Sequence, residues 1–135
     1  MRKYVACFCL LFIALAVAGC PAIERDAFVA VTGAKAALVD FRGRHPECAP
    51  FDALSGLSSN TKIESCIANN RITSAKDAII DAAEVYCSGK DFENGGACNP
   101  PAKGSPGYEQ AAAKLKAAMA SYRQIEADTR GMFVK

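Results

Sequence analysis

Three stretches of this 135-residue chain repeat apolar residues at three- and four-residue spacing, and no stretch shows the strict alternation of a half-buried strand. That periodicity confines the chain to packed helices. The first stretch runs from Ile23 to Arg42, with Ile23, Ala27, Val31, Ala34, Leu38 and Phe41 on one stripe, and Gly43 then Pro46 close it. The second opens near Thr61, which has capping-box spacing to Glu64, and carries Ile63, Ile67, Ala75, Ile79, Ala83 and Tyr86. Asn69-Asn70 weaken its middle, and Ser74 with Asp77 have the chemistry to cap a restart. One long second helix is expected, with a kink or break near Asn70 left open. The third begins with Ser105 as cap and Pro106 in the first turn. Its stripe is Tyr108, Ala112, Leu115, Met119, Tyr122, Ile125 and Met132, opposite Lys114, Lys116, Arg123 and Asp128. Residues 44–59, with Pro46, Pro50 and Gly56, and residues 88–106, with Gly95-Gly96 and Pro100-Pro101, read as loops. The expectation is an all-α protein, a small antiparallel three-helix bundle.

Ahead of the bundle, Arg2 and Lys3 precede an uncharged apolar run from Tyr4 to Ala18. This is the charged start and apolar middle of a secretory signal. A spanning helix needs about 20 apolar residues. Here Glu24, Arg25 and Asp26 follow soon after the shorter run, so a permanent transmembrane helix is the minor reading. The run ends Val17-Ala18-Gly19-Cys20, which resembles the lipobox of bacterial lipoproteins. That resemblance implies a diacylglycerol thioether on Cys20, cleavage before it, and acylation of the new amino group by a chain such as palmitate. It divides the chain into a signal peptide, residues 1–19, and a lipid-anchored helical domain, residues 20–135. A plain secretory signal, with Cys20 an ordinary cysteine, is the competing reading. One acyl chain holds a protein only marginally, each buried methylene contributing about 0.8 kcal/mol, whereas three hold it firmly. Pro21 follows the cysteine instead of the aspartate that retains many enteric lipoproteins in the inner membrane. By the same resemblance the protein is expected at the outer membrane, facing the periplasm. The resemblance covers the leader alone, and no family is identified for the helical domain.

Removing 19 residues from 135 leaves 116, enough for one domain with a modest core. Arg2 and Lys3 leave with the signal, so 16 basic residues become 14 and balance the 14 acidic ones. Such a domain has no basic field for nucleic acid, and no nucleic-acid partner is expected.

Of seven cysteines, Cys7 and Cys9 belong to the leader and Cys20 to the anchor. Cys48, Cys66, Cys87 and Cys98 remain, and an even set in an exported domain reads as two disulfides. Zinc would want closely spaced ligand pairs, which are absent. Cys66 and Cys87 bracket the second helix, roughly 30 Å apart at 1.5 Å per residue, too far to bridge if the helix is unbroken. The local pairing Cys48–Cys66 and Cys87–Cys98 is favoured, with the crossed pairing Cys48–Cys87 and Cys66–Cys98 open.

Residues with catalytic or ligand chemistry are sparse. His45, the one histidine, has the pKa range of a general base, but no nucleophile motif accompanies it. Asp77, Asp81 and Glu84 share a helix face, and Asp91, Glu93 and Asn94 sit in a Gly-rich loop, both weak hints of cation binding. Gly95-Gly96 lacks the Lys-Ser/Thr of a phosphate loop, and C-x-x-C-H is absent. Met119, Tyr122 and Met132 have the character of a ligand groove, although core packing accounts for them more simply. No catalytic residue, metal or cofactor is therefore assigned. The expected function is a non-enzymatic binding or adaptor protein, tethered to the membrane and serving an envelope protein. Its plan is comparable with that of small helical lipoproteins that pilot secretins, by architecture alone. Two alternatives stand behind it. One is a cell-wall link through Lys135, as in Braun-type lipoproteins, whose heptad helix without disulfides this chain does not share. The other is a hydrolase built on His45.

Overall fold

The structure, a computed structural model, describes residues 22–89 and 91–133. The leader, Cys20 and Lys135 lie outside the described residues. Three helices account for most of what is described: α1 (Ile23–Arg44), α2 (Glu64–Cys87) and α3 (Pro106–Phe133). Short 3-10 turns at Pro46–Cys48 and Phe92–Asn94 sit in the two connections. No strand forms among the described residues, only an isolated bridge between Phe51 and Ser58.

The ends of the helices meet as an antiparallel bundle requires. Phe41 near the end of α1 stacks on Phe133 at the end of α3, ring centroids 4.6 Å apart. Tyr86 at the end of α2 lies 5.7 Å from Tyr108 at the start of α3. So α1 and α3 run one way and α2 runs back between them, packed against both. The main core joins Ala27, Val31, Ala34 and Leu38 of α1 to Ile72, Ile79 and Ala83 of α2 and Ala112, Leu115 and Met119 of α3. Alanines recur on each facing stripe, which lets the backbones approach. A second, smaller cluster buries Phe41 with the Cys48–Cys66 disulfide.

Each helix boundary has a local cause. Acidic Glu24 and Asp26 open α1, and basic Arg42 and Arg44 close it, both complementing the helix dipole. The helix runs two residues past the expected Arg42, through Gly43, until His45 donates its N–H to the Phe41 carbonyl at 3.0 Å. Ser105 Oγ accepts the Tyr108 N–H at 3.2 Å, the expected cap of α3. At the start of α2 the expected capping box is not made. Ile63 occupies the cap position without a side-chain bond, and the helix starts at Glu64. Ser88 ends α2 in the left-handed conformation, φ 55°, while Gly89 donates to the Glu84 carbonyl at 3.1 Å.

The second helix is unbroken through Asn69-Asn70. Asparagine weakens a helix by competing for the nearby backbone. Here both side-chain amides are bonded to the backbone of the preceding loop, so that competition is removed. Continuity of α2 keeps Cys66 and Cys87 apart, and the local disulfides form: Cys48–Cys66, with Cα atoms 5.3 Å apart, and Cys87–Cys98, 4.3 Å apart. The crossed pairing does not occur. Each bridge staples one connection to one end of α2.

Candidate functional site

The most elaborated surface is the connection between α1 and α2, residues 45–63. Its anchor is a polar cluster on the helices beneath it. Asn69 is fully buried one turn after Cys66, with Thr73 buried one turn further on the same face of α2. Arg42 of α1 donates from Nε to Asn69 Oδ1 at 3.2 Å and from Nη2 to Thr73 Oγ1 at 3.3 Å. Burial lowers the pKa of this guanidinium from its ordinary value, and the charge of Asp77 opposes that. The same guanidinium lies 5.4 Å from the centre of the Phe51 ring, within cation–π range.

The loop is bonded to this cluster through its backbone. Asn69 Nδ2 donates to the Gly56 carbonyl at 3.2 Å. Asn70 grips Ser58 from both sides: the Ser58 N–H donates to Oδ1 at 2.7 Å and Nδ2 donates to the Ser58 carbonyl at 2.8 Å. Ser58 Oγ bonds the Cys48 carbonyl, joining the loop to the disulfide. Gly56 has φ +71°, a left-handed conformation that favours glycine, and a Cβ there would push the Arg42 guanidinium from its place.

Beyond this base the chain turns tightly at residues 52–57. Asp52 Oδ1 accepts the N–H groups of Leu54 at 3.0 Å and Ser55 at 2.7 Å, and the Ser55 hydroxyl at 2.9 Å. These bonds hold the Asp52 carboxyl below its ordinary pKa. Asp52 also pairs with Leu57 through the backbone, N–H to carbonyl at 2.8 Å. The turn thrusts Leu54 into solvent at 99% relative exposure. Between it and α1 lies an open groove of about 450 Å³, lined by Lys35, Val39, Arg42, Phe51, Leu54 and Lys76 among others. Val39 on α1 is itself 71% exposed. The groove thus sets Val39, Phe51 and Leu54 beside the charged groups of Lys35, Arg42 and Lys76.

Residues singled out from sequence fall mostly elsewhere. His45 caps α1, stacks on Phe41 at 4.1 Å, and sets Nδ1 2.6 Å from Glu47 Oε1. That contact, chiefly, lowers the Glu47 pKa, with a smaller contribution from Ser65. The imidazole is thus paired with a carboxylate, whereas a serine hydrolase also needs it next to a hydroxyl. Asp77 pairs with Lys76, Asp81 is exposed, and Glu93 pairs with Lys35 at 2.6 Å. Neither acidic set converges, and no group of three metal-ligating side chains occurs among the described residues. Met119 and Tyr122 do line one groove, of about 440 Å³, with Arg25, Asp26 and Gly33 of α1, but Met132 does not join them. Burial, with Glu126 adding to it, pushes the Tyr122 hydroxyl up to about 12. Among the described residues no helix is long and apolar enough to cross a membrane.

Two residues of the second stripe are misassigned by periodicity. Ile63 and Ile67 stay about 40% exposed, and Cys66, Asn69 and Thr73 are buried instead. Sequence reasoning missed Arg42, Asn69, Thr73 and Leu54. A signal existed for two of them: a bridged Cys66 faces inward, and positions three and seven residues later share its side of the helix.

The sequence matches no protein-family model, no curated protein and no solved structure.

Proposed function

We propose that this chain is a lipid-anchored, non-enzymatic binding protein of the bacterial envelope, held through Cys20 at the outer membrane and facing the periplasm. The leader ending Val17-Ala18-Gly19-Cys20 supports the anchor and the compartment. Two disulfides agree with an oxidising location. The observation that carries the binding role is Leu54. A disulfide, two asparagines and an aspartate immobilise the turn that displays it, so docking there costs little loop entropy. A leucine kept in water on so rigid a mount, beside exposed Val39, has the form of a preorganised anchor for a partner's apolar pocket. The partner class is another envelope protein.

Site-specific photo-crosslinking in cells tests this. A crosslinker at position 54 is expected to give a discrete adduct with an envelope protein, lost when Val39→Asp is added, and one at exposed Lys116 is expected to give none. Identical patterns from both positions, or no adduct from 54, reject the reading. The mass of the mature protein reports the anchor separately.

A further inference from the structure

We infer that the opposite end of the bundle, around Phe28 and Phe92, rests on a lipid surface with Phe28 at the boundary between headgroups and acyl chains. This rests on the anchor reading of Cys20. Only Pro21 separates Cys20 from Ala22, the first described residue. Two residues of extended chain span at most about 7 Å. A lipid on Cys20 therefore brings whatever surrounds Ala22 to the bilayer, and apart from Glu24 and Arg25 what surrounds it is uncharged. Ala22, Phe28, Phe92, Gly95, Gly96 and Cys98 contribute to an open groove of about 440 Å³.

The wall of that groove is fixed in place. Cys98 is bridged to Cys87, the Asn99 N–H donates to the Cys87 carbonyl at 3.1 Å, and Glu93 pairs with Lys35 of α1. Phe92 is buried, and Phe28 meets it edge-on with centroids 6.1 Å apart. Phe28 nonetheless stays 38% exposed, and Val85, in the last turn of α2 at the same end, is 61% exposed. Apolar side chains held at an interface insert about 5–10 Å into the headgroup region. The charged side chains that line the groove, Glu24 and Arg25, balance, so the attraction is apolar and needs no anionic lipid. The Leu54 turn belongs to the other connection and lies beside the later half of α1, so it is expected to stand further from the bilayer.

The chain contains no tryptophan, so a single introduced one is a clean reporter. Phe28→Trp, Val85→Trp and Leu54→Trp would each be made in the full lipoprotein, its lipid confirmed by mass, and reconstituted in phosphatidylcholine vesicles whose acyl chains are brominated. Quenching several-fold stronger at 28 and 85 than at 54 is the expected result. Equal quenching at the three positions overturns the inference, as does an unquenched 28 and 85, which would mean that the end stands clear of the bilayer or is covered by protein. A mature protein with no lipid on Cys20 removes the anchor reading itself, and the inference with it.

Discussion

The two connections of the bundle use the same covalent device and opposite chemistry. Cys48–Cys66 closes a segment of 18 residues and Cys87–Cys98 one of 11, each onto an end of α2. The first is then held by polar bonds: Asn69 and Asn70 to the Gly56 and Ser58 backbone, Asp52 to the turn. The second is held by a buried aromatic, Phe92, with one ion pair beside it. A loop tied down through its backbone leaves its side chains free to be displayed, and Leu54 is the outcome. A loop tied down by its largest side chain hides that side chain and displays mostly glycine and polar groups. A disulfide thus fixes where a connection attaches, and the remaining contacts decide what it presents.

Deleting the staples should have the largest effect and separates two accounts of their difference. In the chain-entropy model the two closures differ by only about 0.4 kcal/mol, because the dependence on loop length is logarithmic. Packing argues for a larger gap. Cys48 and Cys66 are wholly buried against Phe41, whereas Cys98 is half-buried at the groove edge. We expect Cys48→Ala with Cys66→Ala to cost about 4 kcal/mol in denaturant unfolding and Cys87→Ala with Cys98→Ala about 2 kcal/mol. Equal losses would make loop closure, not packing, the source of the stabilisation.

Point changes in the non-covalent contacts come next. Phe92→Ala should cost about 3 kcal/mol, as a buried aromatic deletion does. Asn69→Ala should cost about 2 kcal/mol, since it leaves Arg42 Nε and the Gly56 carbonyl without their partner. The two should also differ in reach. Asn69→Ala is expected to mobilise residues 52–58 and weaken crosslinking at 54. Phe92→Ala is expected to leave that turn ordered, as read by amide hydrogen exchange. Loosening of both connections by either change would show that the ends of the bundle are not independent.

How far the sequence discloses this division follows from the kind of contact at each place. The stripes of α1 and α3 are legible because their inward faces are apolar: Ala27, Val31, Ala34, Leu38 and Phe41 are all buried, as are Ala112, Leu115, Met119 and Tyr122. Helix length excludes Cys66–Cys87 and favours the local pairing that the structure shows, but by itself leaves the crossed pairing open. The first half of α2 is less legible, because Cys66, Asn69 and Thr73 share its inward side with Ala68 and Ile72, and a hydrophobic pattern selects Ile63 and Ile67 instead. Asn69-Asn70, read as a weakness in the helix, is the loop's anchor. Leu54 escapes for a related reason. Its display depends on a local Asp52 turn together with the long-range bond from Asn69 to the Gly56 carbonyl, and the second has no local signal. Cys20 and Lys135 lie outside the described residues, and their roles remain proposals.

The smallest expected effect concerns one carboxylate from each connection, Asp52 and Glu93, each held below its ordinary pKa by a different kind of partner. Asp52 is held by the amides of Ser55 and Leu54 and the Ser55 hydroxyl, all neutral and all in its own turn. Glu93 is held by the ammonium of Lys35, reaching from α1, with both side chains about 40% exposed. A depressed carboxyl pKa contributes order above its unfolded value, near pH 4, and that order is lost as pH falls through the folded value. Acidification should therefore loosen the Leu54 turn and the Lys35–Glu93 contact alike, each below pH 4. Salt should tell them apart. At 1 M ionic strength the Debye length is about 3 Å, which weakens an exposed ion pair but not hydrogen bonds from fixed backbone amides. Carboxyl titrations followed by NMR are expected to show Glu93 moving back toward its ordinary value in 1 M salt while Asp52 stays depressed. The Leu54 and Ser55 amide shifts should titrate with Asp52, and should lose that titration in Asp52→Asn. An Asp52 midpoint as salt-sensitive as that of Glu93 would mean that charge, not the geometry of the turn, holds Leu54 in place.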